Sequence, residues 1–364
     1  MGIEASNVNS LDHSLCVVGI GAMSAVGLDA PANAAAIRAG ISNFQEHPFM
    51  INREGDPYML AMVPAINETL MGFNRHIELL KPAITEALSP LKAFPSSEIK
   101  LKVGIGLAES RPGIPGDMEA RLIDECADLL NDQFKLDHIG VECRGHAAGL
   151  VALDSAMKRI LAGKSEFEII GGVDSYIDPD MLDWIEDNEQ LHVPTNAWGF
   201  IPGEAAGFCL ICSEVTAQKY QLPIRAKLLG VAIASEKNKI KTETVCIGQG
   251  LTQAVRDLLP NLPEGSRIGP TICDQNGEAY RADEHGFMMC RLSDYFSDPT
   301  HYIAPADCWG DVGAASAPLF INLAIAANEK CYAKGNMTLA WMSSEGGTRA
   351  AALISSSAVQ RGLI

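Results

Sequence analysis

His146-Ala147-Ala148-Gly149, an Ala-rich run to Ala162, and then Glu168-Ile169-Ile170-Gly171-Gly172 form the stretch on which the fold turns. Between Ala147 and Ala162 only Asp154, Lys158 and Arg159 are charged. A helix apolar over so much of its circumference belongs inside a large fold. The apolar run that follows, ending in a glycine pair, reads as the buried strand this helix feeds. The pattern recurs: Gly310-Asp311-Val312-Gly313-Ala314-Ala315-Ser316 opens a second Ala-rich helix to about Ala327, with a strand at Met337 to Met342. Superposing Gly149 on Gly313 aligns helix with helix and strand with strand. The expected architecture is therefore an α/β fold, duplicated, with two buried central helices and halves at residues 1–220 and 221–364.

Working outward, Leu15 to Ile20 reads as a buried strand and Asp29 to Gly40 as a helix with Pro31 in its first turn and Gly40 closing it. Tyr58 to Pro64 and Lys102 to Ala108 read as strands; Ile77 to Leu91 and Met118 to Leu130 show helical spacing. Trp198 to Gly207 is a glycine-punctuated turn leading to a strand at 207–213. In the second half, Arg225 to Ser235 and Gly269 to Asp274 predict strands and Leu251 to Leu259 a helix. The turn Ser343-Ser344-Glu345-Gly346-Gly347-Thr348 leads to a last strand, Ala350 to Ser356. Residues 1–13 are polar and read as loose.

Composition narrows the function. The 364 residues are 47% hydrophobic and 20% charged, a normal globular balance, with no apolar run long enough for a membrane helix and no secretory start. Gly2 after Met1 is a weak acylation signal beside the simpler reading of an unmodified terminus. The net charge of −17 argues against nucleic-acid and anionic-membrane partners. Ten scattered cysteines in apolar contexts read as reduced core thiols of a cytoplasmic protein. Cys209 and Cys212 form a CxxC inside a strand, where residues three apart face opposite sides, so no metal is expected there. Gly19-Ile20-Gly21 lacks the third glycine of a dinucleotide fingerprint, which would fall at Ser24. No cofactor is expected.

Four stretches in register resemble the β-ketoacyl synthase family: Val18-Gly19-Ile20-Gly21-Ala22 through Ala39-Gly40-Ile41-Ser42; Gly149 through Gly163 to Gly171-Gly172; Trp198 to Gly207; and Gly313-Ala314-Ala315 with Gly346-Gly347-Thr348. The resemblance spans nearly the whole chain and implies a thiolase-like, duplicated αβαβα five-layer fold. It also implies an active site with a cysteine nucleophile, two histidines, a lysine and a phenylalanine gate. The matching positions here hold His146 for the nucleophile, Asn276 and Gly310 for the two histidines, Pro305 on or near the lysine position, and Glu345 for the gate. Imidazole cannot form the thioester, and Asn276 cannot act as a general acid or base near neutral pH.

Loss of condensing activity is the consequence, leaving a pseudoenzyme expected to act as a scaffold, adaptor or partner subunit. The resemblance further implies a homodimer extended through the strand Lys102 to Ala108, with a synthase subunit, a carrier protein or a secreted effector as possible partner. Because acyl carrier proteins are acidic, docking one would require a local basic patch on this acidic chain. The alternative is an acyltransferase or hydrolase with a site rebuilt around His146, paired with Glu345 or Asp311; a non-catalytic acyl- or carrier-binding protein is a third. Against the rebuilt site stands the simpler reading that His146 fills the vacated niche as a core residue. Cys143 and Cys308 are weaker candidates for a displaced thiol. Asp274, Glu278, Asp311 and Glu345 could converge on a hard cation, though loop acids without regular spacing are more simply read as solvated.

Overall fold

In the computed structural model the described residues are 14–95, 99–240, 242 and 244–355. The readings of residues 1–13, including Gly2, and of Ser356 lie outside them.

The first half runs β1 (Leu15–Ser24), α1 (Ala30–Ala39), β2 (Gln45–Ile51), β3 (Pro57–Leu60), α2 (Gly72–Ala87), β4 (Lys100–Leu107), α3 (Met118–Leu130) and β5 (Lys135–Cys143). It continues through α4 (Ala148–Leu161), β6 (Phe167–Ser175), α5 (Pro179–Asp187), β7 (Glu204–Cys212) and α6 (Glu214–Lys219). The second half has β8 (Ala226–Ser235), α7 (Gln249–Leu258), β9 (Thr271–Cys273), α8 (Ala279–Leu292), β10 (Tyr302–Ile303), α9 (Ala306–Trp309), α10 (Ser316–Glu329), β11 (Met337–Ser343) and β12 (Thr348–Ser355). Residue 220 falls between α6 and β8.

The strand order β10-β9-β11-β12-β8-β1-β7-β6-β4-β5 puts the strands of each half together. The halves join where Leu15, Cys16 and Val17 of β1 lie opposite Leu228, Lys227 and Ala226 of β8. Alternation of side chains then sorts the core into layers. The inner faces of both halves pack on α4 and α10, the outer face of the first half on α2 and α3, and that of the second half on α7 and α8. This is the αβαβα order. Cys209 lies in the inner core and Cys212 in the outer one, on opposite sides of β7.

Asp29 caps α1 by accepting from the Ala32 N–H, and Gly40 closes it in the left-handed region. α2 begins five residues before Ile77, because its first turn carries no apolar rhythm, and runs through Pro82 to Ala87. Two further differences matter more. The duplicated unit superposes Gly145, not Gly149, on Gly313: each of these glycines opens a three-residue 3-10 turn that leads into a 14-residue helix. The strand expected at the dimer edge, β4, is instead interior, paired with both β5 and β6. The edge belongs to β5, a half-exposed strand absent from the sequence expectation.

Glycine is required where the central turn approaches the sheet. A Cβ on Gly172 would run into the carbonyl oxygen of Ala314, and a Cβ on Gly149 would lie 2.9 Å from Ala317, where α4 meets α10. None of the described helices is long and apolar enough to cross a membrane.

Candidate functional site

His146 sits in the 3-10 turn before α4, 6% exposed. Around it converge the loop after β9 (Asp274, Asn276, Glu278), the first turn of α8 (Arg281), the link between α9 and α10 (Gly310, Asp311) and the residues after β11 (Ser344, Glu345). Asp311 is the hub. Its Oδ1 and Oδ2 lie 2.8 and 3.0 Å from His146 Nε2. It also accepts from Asn276 Nδ2 at 2.6 Å, the Tyr176 hydroxyl at 3.2 Å and the Gly313 N–H at 2.8 Å.

A second knot is built on Arg281, which is 1% exposed. Its guanidinium donates to Asp274 at 2.6 Å, to Glu278 at 3.1 Å and to the Ser343 carbonyl at 2.8 Å. Asn276 donates to Glu278 as well, at 3.0 Å, and Gln190 bridges Glu278 and Glu345 at 2.9 and 2.7 Å. The four carboxylates foreseen as a cation site do gather here. The Arg281 guanidinium stands between two of them, Asp274 and Glu278, and offsets their charge, because a buried carboxylate without a positive partner is costly. Glu345 pairs with Gln190 and leaves His146 to Asp311.

The electrostatics follow. Burial alone would push a proton off His146, but the Asp311 carboxylate outweighs it and holds the imidazole pKa above its ordinary value. Asp311 is driven the other way: burial disfavours its charge, and His146, Arg281 and the Gly313 N–H together pull it well below the usual carboxylate range. Asp274, whose strongest influence is burial, is raised despite Arg281. To bond Asp311, His146 Nε2 must carry its hydrogen. The Arg281 Nη2 only 3.4 Å away is then a second donor facing it, a repulsive neighbour and not a bond.

Gly310 has φ 72°, and a Cβ there would lie 2.7 Å from the Ile201 carbonyl oxygen. No imidazole fits at that position without backbone movement. Pro305 caps the short α9. The space left beside His146, Asp274, Asn276, Asp311 and Phe320 is ≈ 10 Å³, about one water molecule. Outside it a cleft of ≈ 260 Å³, lined by Phe44, His192, Asp307 and Gly310, reaches Asn276 and Asp311.

Neither cysteine candidate supplies a thiolate. Cys143 is exposed at the end of β5 and Cys308 is buried, and desolvation raises the pKa of both. Glu236, Cys246 and Glu284 place donor atoms close enough for a metal ion. Their oxygens are already engaged: Glu284 holds Arg349 at 2.6 Å, and Glu236 accepts from the Gly250 and Asn238 N–H groups. Arg281, Gln190 and Tyr176 are site residues missed from sequence. Arg281 three positions after Glu278 was a legible i,i+3 pairing once α8 is known to start there.

No protein-family model matches the sequence, and no curated protein is similar to it in sequence. Solved structures are similar in fold. One, described as the apo AntDE:AntF complex of a type II PKS acyl-carrier protein with its ketosynthase bound to the hexaketide, superposes with TM-score 0.77 at 14% identity, covering 94% of this chain and 99% of that one. The ishigamide ketosynthase/chain length factor gives 0.76 at 14%, with the same coverage. A ketosynthase from module 6 of the bacillaene synthase of Bacillus subtilis 168 gives 0.73 at 13%, covering 94% and 72%. With its layers, its paired central helices and these superpositions, the chain has the thiolase-like fold of the ketosynthases.

Proposed function

We propose that this is a ketosynthase-fold protein that does not catalyse condensation and acts through a protein partner, as scaffold, adaptor or partner subunit. The observation that carries this reading is the closed network at the turn before α4: His146 and Asn276 each bonded to Asp311, Arg281 locked on Asp274 and Glu278, and ≈ 10 Å³ of space beside them. Acyl transfer of the ketosynthase type needs an attacking thiolate, donors for an oxyanion and room for an acyl chain. His146 Nε2, the Asn276 amide and the Arg281 Nε and Nη1 are already engaged by carboxylates, and carboxylates repel an anionic malonyl group.

Partnership is supported by the free edge of β5, which offers a strand for pairing with a second copy or a related subunit. The ketosynthase/chain length factor among its structural neighbours supports a two-subunit reading, and the neighbour solved with an acyl-carrier protein supports a carrier as a further partner class. A homodimer remains the reading for the chain alone.

One observation favours the alternative of a rebuilt acyltransferase or hydrolase: a buried histidine bonded to an aspartate, with an open cleft reaching that aspartate. Incubation with acyl and malonyl thioesters, followed by free-thiol assay and intact mass, tests both readings. No adduct and no turnover, together with a defined partner on purification from the native host, is the expected result. Sustained thiol release or an acyl adduct abolished by His146→Ala would replace the scaffold reading with the enzymatic one.

A further inference from the structure

Small side chains of α1, the buried Ala30 and Ala34 and the exposed Ala35 and Ala39, leave a groove beside Ala326 of α10 where larger side chains would have filled the space. The cavity is ≈ 480 Å³, with Ile20, Ala30, Ala34 and Ala326 among its apolar lining. A second cavity of ≈ 240 Å³ adjoins it, with Ile272, Leu323 and Ala327 in its wall. Arg38 and Tyr332 line both, the guanidinium carbon 4.3 Å above the ring centroid. The larger one has the size of a small-molecule site.

The charge around this groove is opposite to that of the chain. Against a net −17, the first cavity is lined by Arg38, Arg225 and Lys330 with one acid, Glu329, which Arg225 holds at 2.7 and 2.8 Å. Lys334 and His301 line the second cavity. Arg38 and Lys330 also stand where helix C-termini favour positive charge. That explains their sign, but not the apolar cavity between them.

We propose that the groove between α1 and α10 binds an anionic amphiphile, its aliphatic chain along the alanines and its carboxylate or phosphate head on Arg38 and Lys330. Guanidinium forks suit both heads. The proposal is independent of what the buried site around His146 does.

The test is calorimetric titration of the full-length protein with monomeric dodecanoate, dodecyl phosphate and dodecanol. Saturable one-to-one binding of the anions, with dodecanol weaker, is expected, and the preferred head separates a free carboxylic acid from a phosphate ester. Ala35→Trp, on the exposed side of α1 at the cavity, should weaken binding about tenfold or more by filling it. Arg38→Glu should weaken it about tenfold by replacing the head-group cation with a carboxylate, and serves if the tryptophan variant fails to fold. Absence of saturable binding below the micelle threshold would overturn the proposal. So would binding indifferent to both substitutions, or association with anionic phospholipid vesicles or an acidic carrier protein without binding of the monomeric amphiphile.

Discussion

Before α4 the chain makes a 3-10 turn, Gly145–Ala147, starting from a glycine at φ 60°; before α10 it makes another, Gly313–Ala315, starting from φ 47°. The two turns are bound crosswise. The Ala147 N–H donates to the Ser344 hydroxyl just after β11 in the second half, and the Ala314 N–H donates to Asp174 in β6 of the first. Yet the first turn carries a histidine in a network of ions, and the second is all glycine and alanine. The backbone of such a turn therefore does not require a polar side chain. The ions around His146 are an addition particular to the first turn, whereas the crosswise capping is common to both.

The largest effect is expected from breaking the ionic side of this comparison. Arg281→Met leaves Asp274 and Glu278 buried without their cation and should cost about 3–5 kcal/mol, read from urea unfolding. A small loss would mean that water already reaches these carboxylates. Asp174→Ala strikes the other turn and removes both the Ala314 cap and the Arg111 ion pair at 2.5 Å. A loss of about 3 kcal/mol is expected, since the Arg111 charge is left without its partner. Gly172→Ala drives a methyl into the Ala314 carbonyl and should cost about 1–3 kcal/mol by the same assay. No loss there would show that the second turn can slide on β6.

How much of this was legible beforehand divides along the same line. The small-residue helices, the glycine pairs and Gly310 are apolar or steric signals, and sequence carries those well. The small-residue pattern pairs Gly149 with Gly313, whereas the counterpart of Gly313 is Gly145, which opens the first 3-10 turn as Gly313 opens the second. α8 escaped because Ala279–Leu292 mixes charge with apolar residues, hiding Arg281, on which the network depends. β5 escaped because an edge strand with Lys135, Asp137, His138 and Glu142 has no clean alternation. Which carboxylate meets which cation is set by loops far apart in the chain, and no local pattern encodes it.

The next prediction separates charge from packing at His146. Its folded pKa is raised above the ordinary 6.5, so its charge contributes fully to stability below that value. The contribution is lost as pH rises through the folded pKa. His146→Gln keeps a donor for Asp311 without the charge. The thermal midpoint of the native protein should exceed that of the variant most at pH 6 and approach it toward pH 9. Parallel curves would mean that the imidazole has the same pKa folded and unfolded, so that its charge adds nothing at Asp311 and the second turn's apolar character is the better analogy for the first.

The smallest effect concerns the cap itself. Ser344 Oγ accepts from the Ala147 N–H at 2.9 Å and donates to the Arg144 carbonyl at 2.5 Å, so it closes the turn from both sides. Ser344→Ala leaves a buried N–H without a partner, which should cost about 1–2 kcal/mol. That is less than Asp174→Ala, because no charge is stranded. If the two turns play equivalent parts, the Ser344→Ala and Gly172→Ala losses should exceed their sum when combined, since each loosens one side of the same α4–α10 contact at Gly149. Simple additivity would mean that the halves are held independently, with the ion network around Arg281, and not the paired turns, joining them at this end of the sheet.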